Sequence, residues 1–210
     1  MSDYPNGKDP APGSITLAGV HPRIGERLLE ARTILIHGEI TSKLAQDVSA
    51  QLLAMDADSS ADITVFVHSE GGHVEAGDTI HDMVRFVRPR VRMVGTGWVA
   101  SAGVHIYLAV PKADRYALPN TRFMIHQPLG GGFGRASDIR IEAEELLRTR
   151  ERLNRVIAEA TGQPLDKVAQ DTDRNFWMGP EEALEYGIVG KIIRGAGELA
   201  RSEQPGTDKT

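Results

Sequence analysis

The chain has 210 residues and a net charge of −5, enough for one domain with a sizeable core and too acidic to leave an electrostatic footprint for nucleic acid. It has no cysteine, which excludes disulfides, thiolate zinc sites and a cysteine nucleophile. No run approaches the roughly 18 apolar residues that a membrane span needs.

Residues 1–14 (MSDYPNGKDPAPGS) are rich in Pro, Gly and Asp, and 195–210 (GAGELARSEQPGTDKT) read the same way. Neither carries enough apolar surface to fix a structure alone, so both are expected to be flexible tails around a folded unit at 15–194. The N-terminus shows neither the basic start nor the apolar run of a secretory signal, and a cytoplasmic protein is expected. Within the folded unit, Thr33–His37 (TILIH) is a predicted strand. Leu44, Val48, Leu52 and Met55 recur at helical spacing over Ser42–Met55. Ile63–His68 (ITVFVH) is β-branched and apolar and reads as a buried strand. Glu75–Arg88 places Ile80, Met83, Val84 and Val87 on one helical face and stops before Pro89. Val91–Gly95 is a further strand, and Ala102–Ala109 is too short for periodicity to separate helix from strand.

Arg115–Leu118 and Arg122–Gln127 are predicted strands flanking a turn at Pro119-Asn120, followed by the loop LGGGFG (129–134). A long helix is expected from Ser137 or Asp138 to about Ala160, with Ile139, Ala143, Leu146, Leu147, Leu153, Val156 and Ile157 as its apolar stripe. Pro180, Glu181 and Glu182 open a short helix that Gly187 ends, and Ile188–Ile193 is a last predicted strand. Strands alternating with helices indicate an α/β fold with a largely parallel sheet, whose chemistry sits at the strand C-termini.

Three segments carry candidate chemistry. Gly71 and Gly72 of HSEGG (68–72) follow a strand and could offer backbone N–H groups to an oxyanion, or serve only as a tight turn. Ser101 in GWVASAG (97–103) has small neighbours that expose a hydroxyl, although Val99 breaks the G-x-S-x-G pattern. His126 in FMIHQPLGG (123–131) titrates in the range a serine's base needs. Each alone also suits a packing role. Together they suit acyl transfer. His68, His73 and His81 match no metal-ligand spacing, and LGGGFG lacks the lysine of a phosphate loop.

These segments, with GDTIHDMVRFVRP (77–89), ALPNTRFMIHQPLGG (117–131), ASDI (136–139), TGQPL (161–165), DTDR (171–174) and EALEYGIV (182–189), resemble the Clp protease proteolytic subunit over roughly 24–193. The resemblance implies a spiral βαβ, crotonase-like fold with a protruding handle helix at about 137–160. It implies two stacked seven-membered rings fed by an ATP-dependent unfoldase, with no nucleotide on this chain. It implies Ser101 as nucleophile, His126 as base, Gly72 and Ala102 as oxyanion donors, and Arg174 as a coupler of ring contact to site geometry.

Three departures from the family pattern stand out. The catalytic aspartate after D-T-x-R is Asn175, so orientation of His126 falls to Asn175, Asp171 or Asp173. In N-S-P-G-G the proline is Glu70, a charge that opposes an oxyanion unless it points to solvent or pairs with His68 or His73. The axial segment before Arg23 matches poorly, although Ile15-Thr16-Leu17 could line a pore. The expected function is that of a serine endopeptidase that cuts unfolded chains to short peptides. The alternatives are a weakly active or regulatory ring subunit and, from the shared fold, an acyl-CoA hydratase or isomerase.

Overall fold

A computed structural model of the chain describes residues 22–199. The expected flexible segment 1–14, Ile15–Leu17 and the tail beyond Leu199 lie outside the described residues. Three long parallel strands form the centre: β1 (Thr33–Ile40), β2 (Ile63–Gly72) and β3 (Val91–Ala100). Beyond β3 the sheet continues through the short strands β4 (Arg115–Ala117) and β7 (Lys191–Ile192), both parallel. A branch leaves β3 through β5 (Arg122–Ile125), which pairs with β6 (Phe176–Met178) in the one antiparallel ladder among the described residues.

The branch has a local cause. The first half of β3 (Met93–Gly95) pairs with β4 and the second half (Trp98–Ala100) with β5. Between them Gly97 adopts φ +59, and a Cβ there would lie 2.5 Å from His68 Nδ1. The neighbouring strands slip at the same level, β1 between His37 and Glu39 and β2 between Val67 and Ser69. Gly38, with φ +78, supplies the left-handed residue in β1. The three strands therefore shift register together, and β3 continues past the shift to carry the branch of β5 and β6 on the same sheet. Past this shift β1, β2 and β3 run three to five residues beyond their expected ends. HSEGG is consequently strand, not the loop after one.

The helices are α1 (Pro22–Glu30), α2 (Ser42–Asp58), α3 (Val74–Phe86), α4 (Ala102–Tyr107), α5 (Ala136–Thr161), α6 (Leu165–Asp171) and α7 (Pro180–Tyr186). Thr41 caps α2 by accepting from the Leu44 N–H at 3.2 Å. Gly162 closes α5 and Gly187 closes α7, each in the left-handed region. The ambiguous segment 102–109 is helix over Ala102–Tyr107 and ends in a turn. The expected strand at Ile188–Ile193 shrinks to Lys191–Ile192, because Gly190 has turned to donate to the Arg115 carbonyl at 2.8 Å. At the start of the expected tail, Ala196–Glu198 forms a 3₁₀ turn.

One buried core unites β1–β3 with α2, α3 and α4. Helix α5 joins it only through its C-terminal turns, where Asn154 and Ile157 are buried. Higher up, Leu146 is half-buried against Gly130 of the 129–132 loop, while Ile139 and Leu147 of the expected stripe, and Ile141 beside it, remain exposed.

Candidate active site

Ser101 stands between β3 and α4 at φ 55, ψ −122, a left-handed conformation rare for a residue with a Cβ. Its N–H donates to the Met124 carbonyl of β5 at 2.9 Å, and Val104 N–H donates back to the Ser101 carbonyl at 3.0 Å. The strand-to-helix turn is thus held on both sides, and strain of this kind clusters at functional sites. Gly71 lies directly against it: a Cβ there would sit 2.5 Å from Ser101 Cβ. The Gly71 N–H is committed to Ser69 Oγ at 3.0 Å, and Ser69 Oγ donates to the Gly38 carbonyl at 2.6 Å. Gly72 is required for a different contact, since its Cβ would meet the Ile40 carbonyl oxygen at 2.4 Å. Ala102 opens α4, and an N–H in a helix's first turn has no acceptor within the helix.

His126 follows the last residue of β5, and its Nε2 is 2.8 Å from Ser101 Oγ. Burial pushes the imidazole below its ordinary value, and a hydrogen bond with the Asn175 side chain opposes that shift only in part. Burial therefore favours the neutral ring, which can accept a proton. Of the three expected orienting residues, Asn175 is the one that meets His126. Asp171 Oδ2 accepts from Tyr186 Oη at 2.8 Å and Lys167 Nζ at 2.6 Å. Asp173 Oδ1 accepts from Gln127 Nε2 and Arg150, both at 3.3 Å. The loop that carries Asn175 is pinned to the histidine's neighbour, because Gln127 N–H donates to the Thr172 carbonyl at 2.6 Å. Thr172 Oγ1 in turn donates to Asn154 Oδ1 of α5 at 2.9 Å.

Glu70 is exposed, on the face of β2 opposite to Gly71 and Ser69. The pairing with His68 or His73 is not made: His68 Nδ1 lies 3.2 Å from the Thr96 carbonyl oxygen and 3.3 Å from Trp98 N, and His73 meets Glu75 at 3.0 Å. Arg174 is exposed and donates to the Asp173 carbonyl at 2.8 Å.

Beside Ser101 and His126 opens a cavity of about 40 Å³, walled by Val74, Ile125, Leu153 and Ile157. His105 also lines it, four residues after Ser101 on α4. The sequence reading missed His105, together with Asp78 and Arg152 that meet it. An i, i+4 relation to the serine was the available signal, and it needed 102–109 to be read as helix. Among the described residues no helix is long and apolar enough to cross a membrane, and no group of three or more His, Asp or Glu is arranged to hold a metal.

The sequence model described as Clp protease matches residues 19–196. ATP-dependent Clp protease proteolytic subunit 3 of Rhizobium meliloti is 57% identical over 172 residues, covering 82% of this chain and 88% of that protein. Proteolytic subunit 2 of Gluconobacter oxydans is 55% identical over 175 residues, covering 82% of this chain and 78% of that protein. Among solved structures, ClpP1 from Listeria monocytogenes is 55% identical with a TM-score of 0.76, covering 84% of this chain and 99% of that one. An asparagine-to-aspartate mutant of the same ClpP1 gives a TM-score of 0.79 at the same identity and coverage.

Proposed function

The chain belongs to the Clp protease family as a proteolytic subunit, and on that premise we propose that Ser101, His126 and Asn175 are its catalytic residues. The observation that carries the reading is the 2.8 Å approach of His126 Nε2 to Ser101 Oγ, made at a strained turn. His126 Nε2 takes the hydroxyl proton as Oγ bonds to the substrate carbonyl carbon. The carbonyl oxygen becomes an oxyanion, held by the N–H groups of Gly72 and Ala102. The imidazolium then gives its proton to the leaving amine as the C–N bond breaks. Water, deprotonated by the same ring, hydrolyses the acyl ester and returns the proton to Ser101. With its amide oxygen toward Nδ1–H, Asn175 holds the tautomer that presents a lone pair to Ser101. Unlike a carboxylate, it adds no full charge to stabilise the imidazolium.

The reaction needs no cofactor on this chain. ATP is used by a separate unfoldase that delivers unfolded polypeptide, in the cytoplasm. The exposed apolar residues Ile139, Ile141 and Leu147 of α5 support burial against other copies or paralogous subunits, in two stacked seven-membered rings. Arg174, exposed beside the loop of Asn175, is suited to sense that contact. The alternative of a weakly active or inactive ring subunit has the Ser101–His126 geometry against it.

The test is degradation of casein by the assembled protein, with and without an unfoldase, beside Ser101→Ala. Cleavage into short peptides that disappears in the variant is expected. Equal cleavage by both would contradict the assignment of Ser101.

A further inference from the structure

The walls of the cavity beside Ser101 belong to different helices. Helix α4 supplies Val104 and His105, and α5 supplies Leu153 and Ile157. At about 40 Å³ the space holds roughly three water molecules. The space suits a short aliphatic side chain, and a phenyl ring would need more room between α4 and α5.

A single carboxylate on a third helix opposes such widening. Asp78 of α3 receives Arg152 Nη1 on Oδ1 and Nη2 on Oδ2, both at 2.7 Å, the paired geometry that gives arginine its directional strength. His105 Nε2 lies 2.8 Å from the same Asp78 Oδ1, a short contact without the alignment of a hydrogen bond. Arg152 immediately precedes Leu153 on the α5 wall, and His105 is itself part of the α4 wall. On its far side the His105 ring is stacked on His81, with centroids 4.5 Å apart and planes 11° from parallel, so the ring has little freedom to turn. Partial burial pushes the Asp78 carboxyl up, but the contacts with His105 and Arg152 outweigh it and hold the group well below the usual carboxylate range. The Asp78 carboxylate is therefore ionised wherever the enzyme would work.

We propose that Asp78 is a positioning residue for substrate selection: by tying His105 to Arg152 it keeps the cavity beside Ser101 narrow and restricts the side chain preceding the scissile bond to small aliphatic groups. Asp78 touches no substrate; it acts through the two walls. The proposal rests on Ser101 being the nucleophile.

The experiment measures kcat and KM of the assembled full-length protein on two fluorogenic peptides differing only in the residue before the reporter, alanine or phenylalanine. The proteins are wild type, Ser101→Ala, Asp78→Asn, Arg152→Ala and Arg152→Lys. Arg152→Ala changes a half-exposed side chain, so the test does not depend on the buried part of the network surviving Asp78→Asn. Wild type should favour the alanine peptide. Asp78→Asn and Arg152→Ala should each raise the phenylalanine-to-alanine ratio of kcat/KM by roughly 5-fold or more, mainly through a lower KM for the phenylalanine peptide. Arg152→Lys, which keeps the charge without the paired geometry, should fall between. An unchanged ratio, or proportional loss on both peptides, in variants that assemble and melt like wild type would overturn the proposal and leave the role of Ser101 intact. Wild-type cleavage that persists in Ser101→Ala, or no wild-type cleavage of either peptide, would remove the reading of Ser101 and the proposal with it.

Discussion

Ser101 can occupy its left-handed turn only because its surroundings leave no alternative. Its N–H is held by Met124, its carbonyl starts α4, and Gly71 fills the space where any Cβ would collide with it. The hydroxyl is thereby presented to His126 without a conformational search. What the pair lacks is a charge behind the imidazole. Where serine peptidases carry an aspartate, loss of that charge in the best-studied case lowers turnover about 10⁴-fold. Asn175→Asp is therefore expected to raise kcat/KM by at least ~10-fold, while the added carboxylate raises the His126 pKa. Because burial places that pKa below 6.5 in the native chain, the acid limb of the pH–rate profile should lie below 6.5 and move upward in the variant. An unchanged rate and an unmoved limb would mean that orientation by the amide already suffices.

At the scale of elements, an unusual support is Arg115, only 2% exposed, on β4. Its Nη1 donates to the carbonyls of Gly187 and Ile188 at 3.2 and 3.1 Å, and Nη2 to that of Ala160 at 2.7 Å. Those acceptors lie at the C-terminal ends of α7 and α5, where helix dipoles favour a cation. Burial lowers its pKa, and among the described residues no carboxylate pairs with it. Arg115→Met should cost about 2–4 kcal/mol, because it strands several buried carbonyls at once. A denaturant midpoint unchanged from wild type would show that water takes over those bonds. Nothing in the local pattern of Arg115–Leu118 announced this role, which depends on residues 45 and 72 positions away. The strands and helices with strong periodicity were legible: β1, β2, α2, α3 and the long α5 start within a residue or two of their expected positions. The continuation of β1–β3 through Gly38, His68 and Gly97 was not, since glycines that look like strand breakers instead permit a register shift shared by three strands. The short α6 and β6 were missed because Leu165 and Val168, or three residues of strand, give periodicity too little length. Ser101, His126 and Asn175 stood out by context. The Asp78–His105–Arg152 bridge did not, as it joins three helices across 74 positions.

At the scale of the whole molecule, three histidines among the described residues, His37, His81 and His126, have pKa values below the ordinary 6.5, in each case chiefly through burial. The unfolded chain therefore binds more protons than the folded one once pH drops past 6.5. Stability from these groups is present above 6.5 and is lost as pH falls toward their folded values. The melting temperature of the assembled protein should accordingly fall between pH 7.5 and 5.5, well before the Asp78 bridge is protonated. A melting temperature that holds or rises on acidification would contradict this account of the buried imidazoles. At the same scale, the exposed apolar part of α5 makes the isolated chain an incomplete unit, so chemistry at Ser101 has to be measured on a sample of known oligomeric size. The most direct measurement is fluorophosphonate labelling of the assembled protein, read by intact mass, with Ser101→Ala as the control. One adduct per chain in the wild type and none in the variant is the predicted result. An assembled wild type that takes no label, or a variant that takes it equally, would contradict the claim that Ser101 is an activated nucleophile.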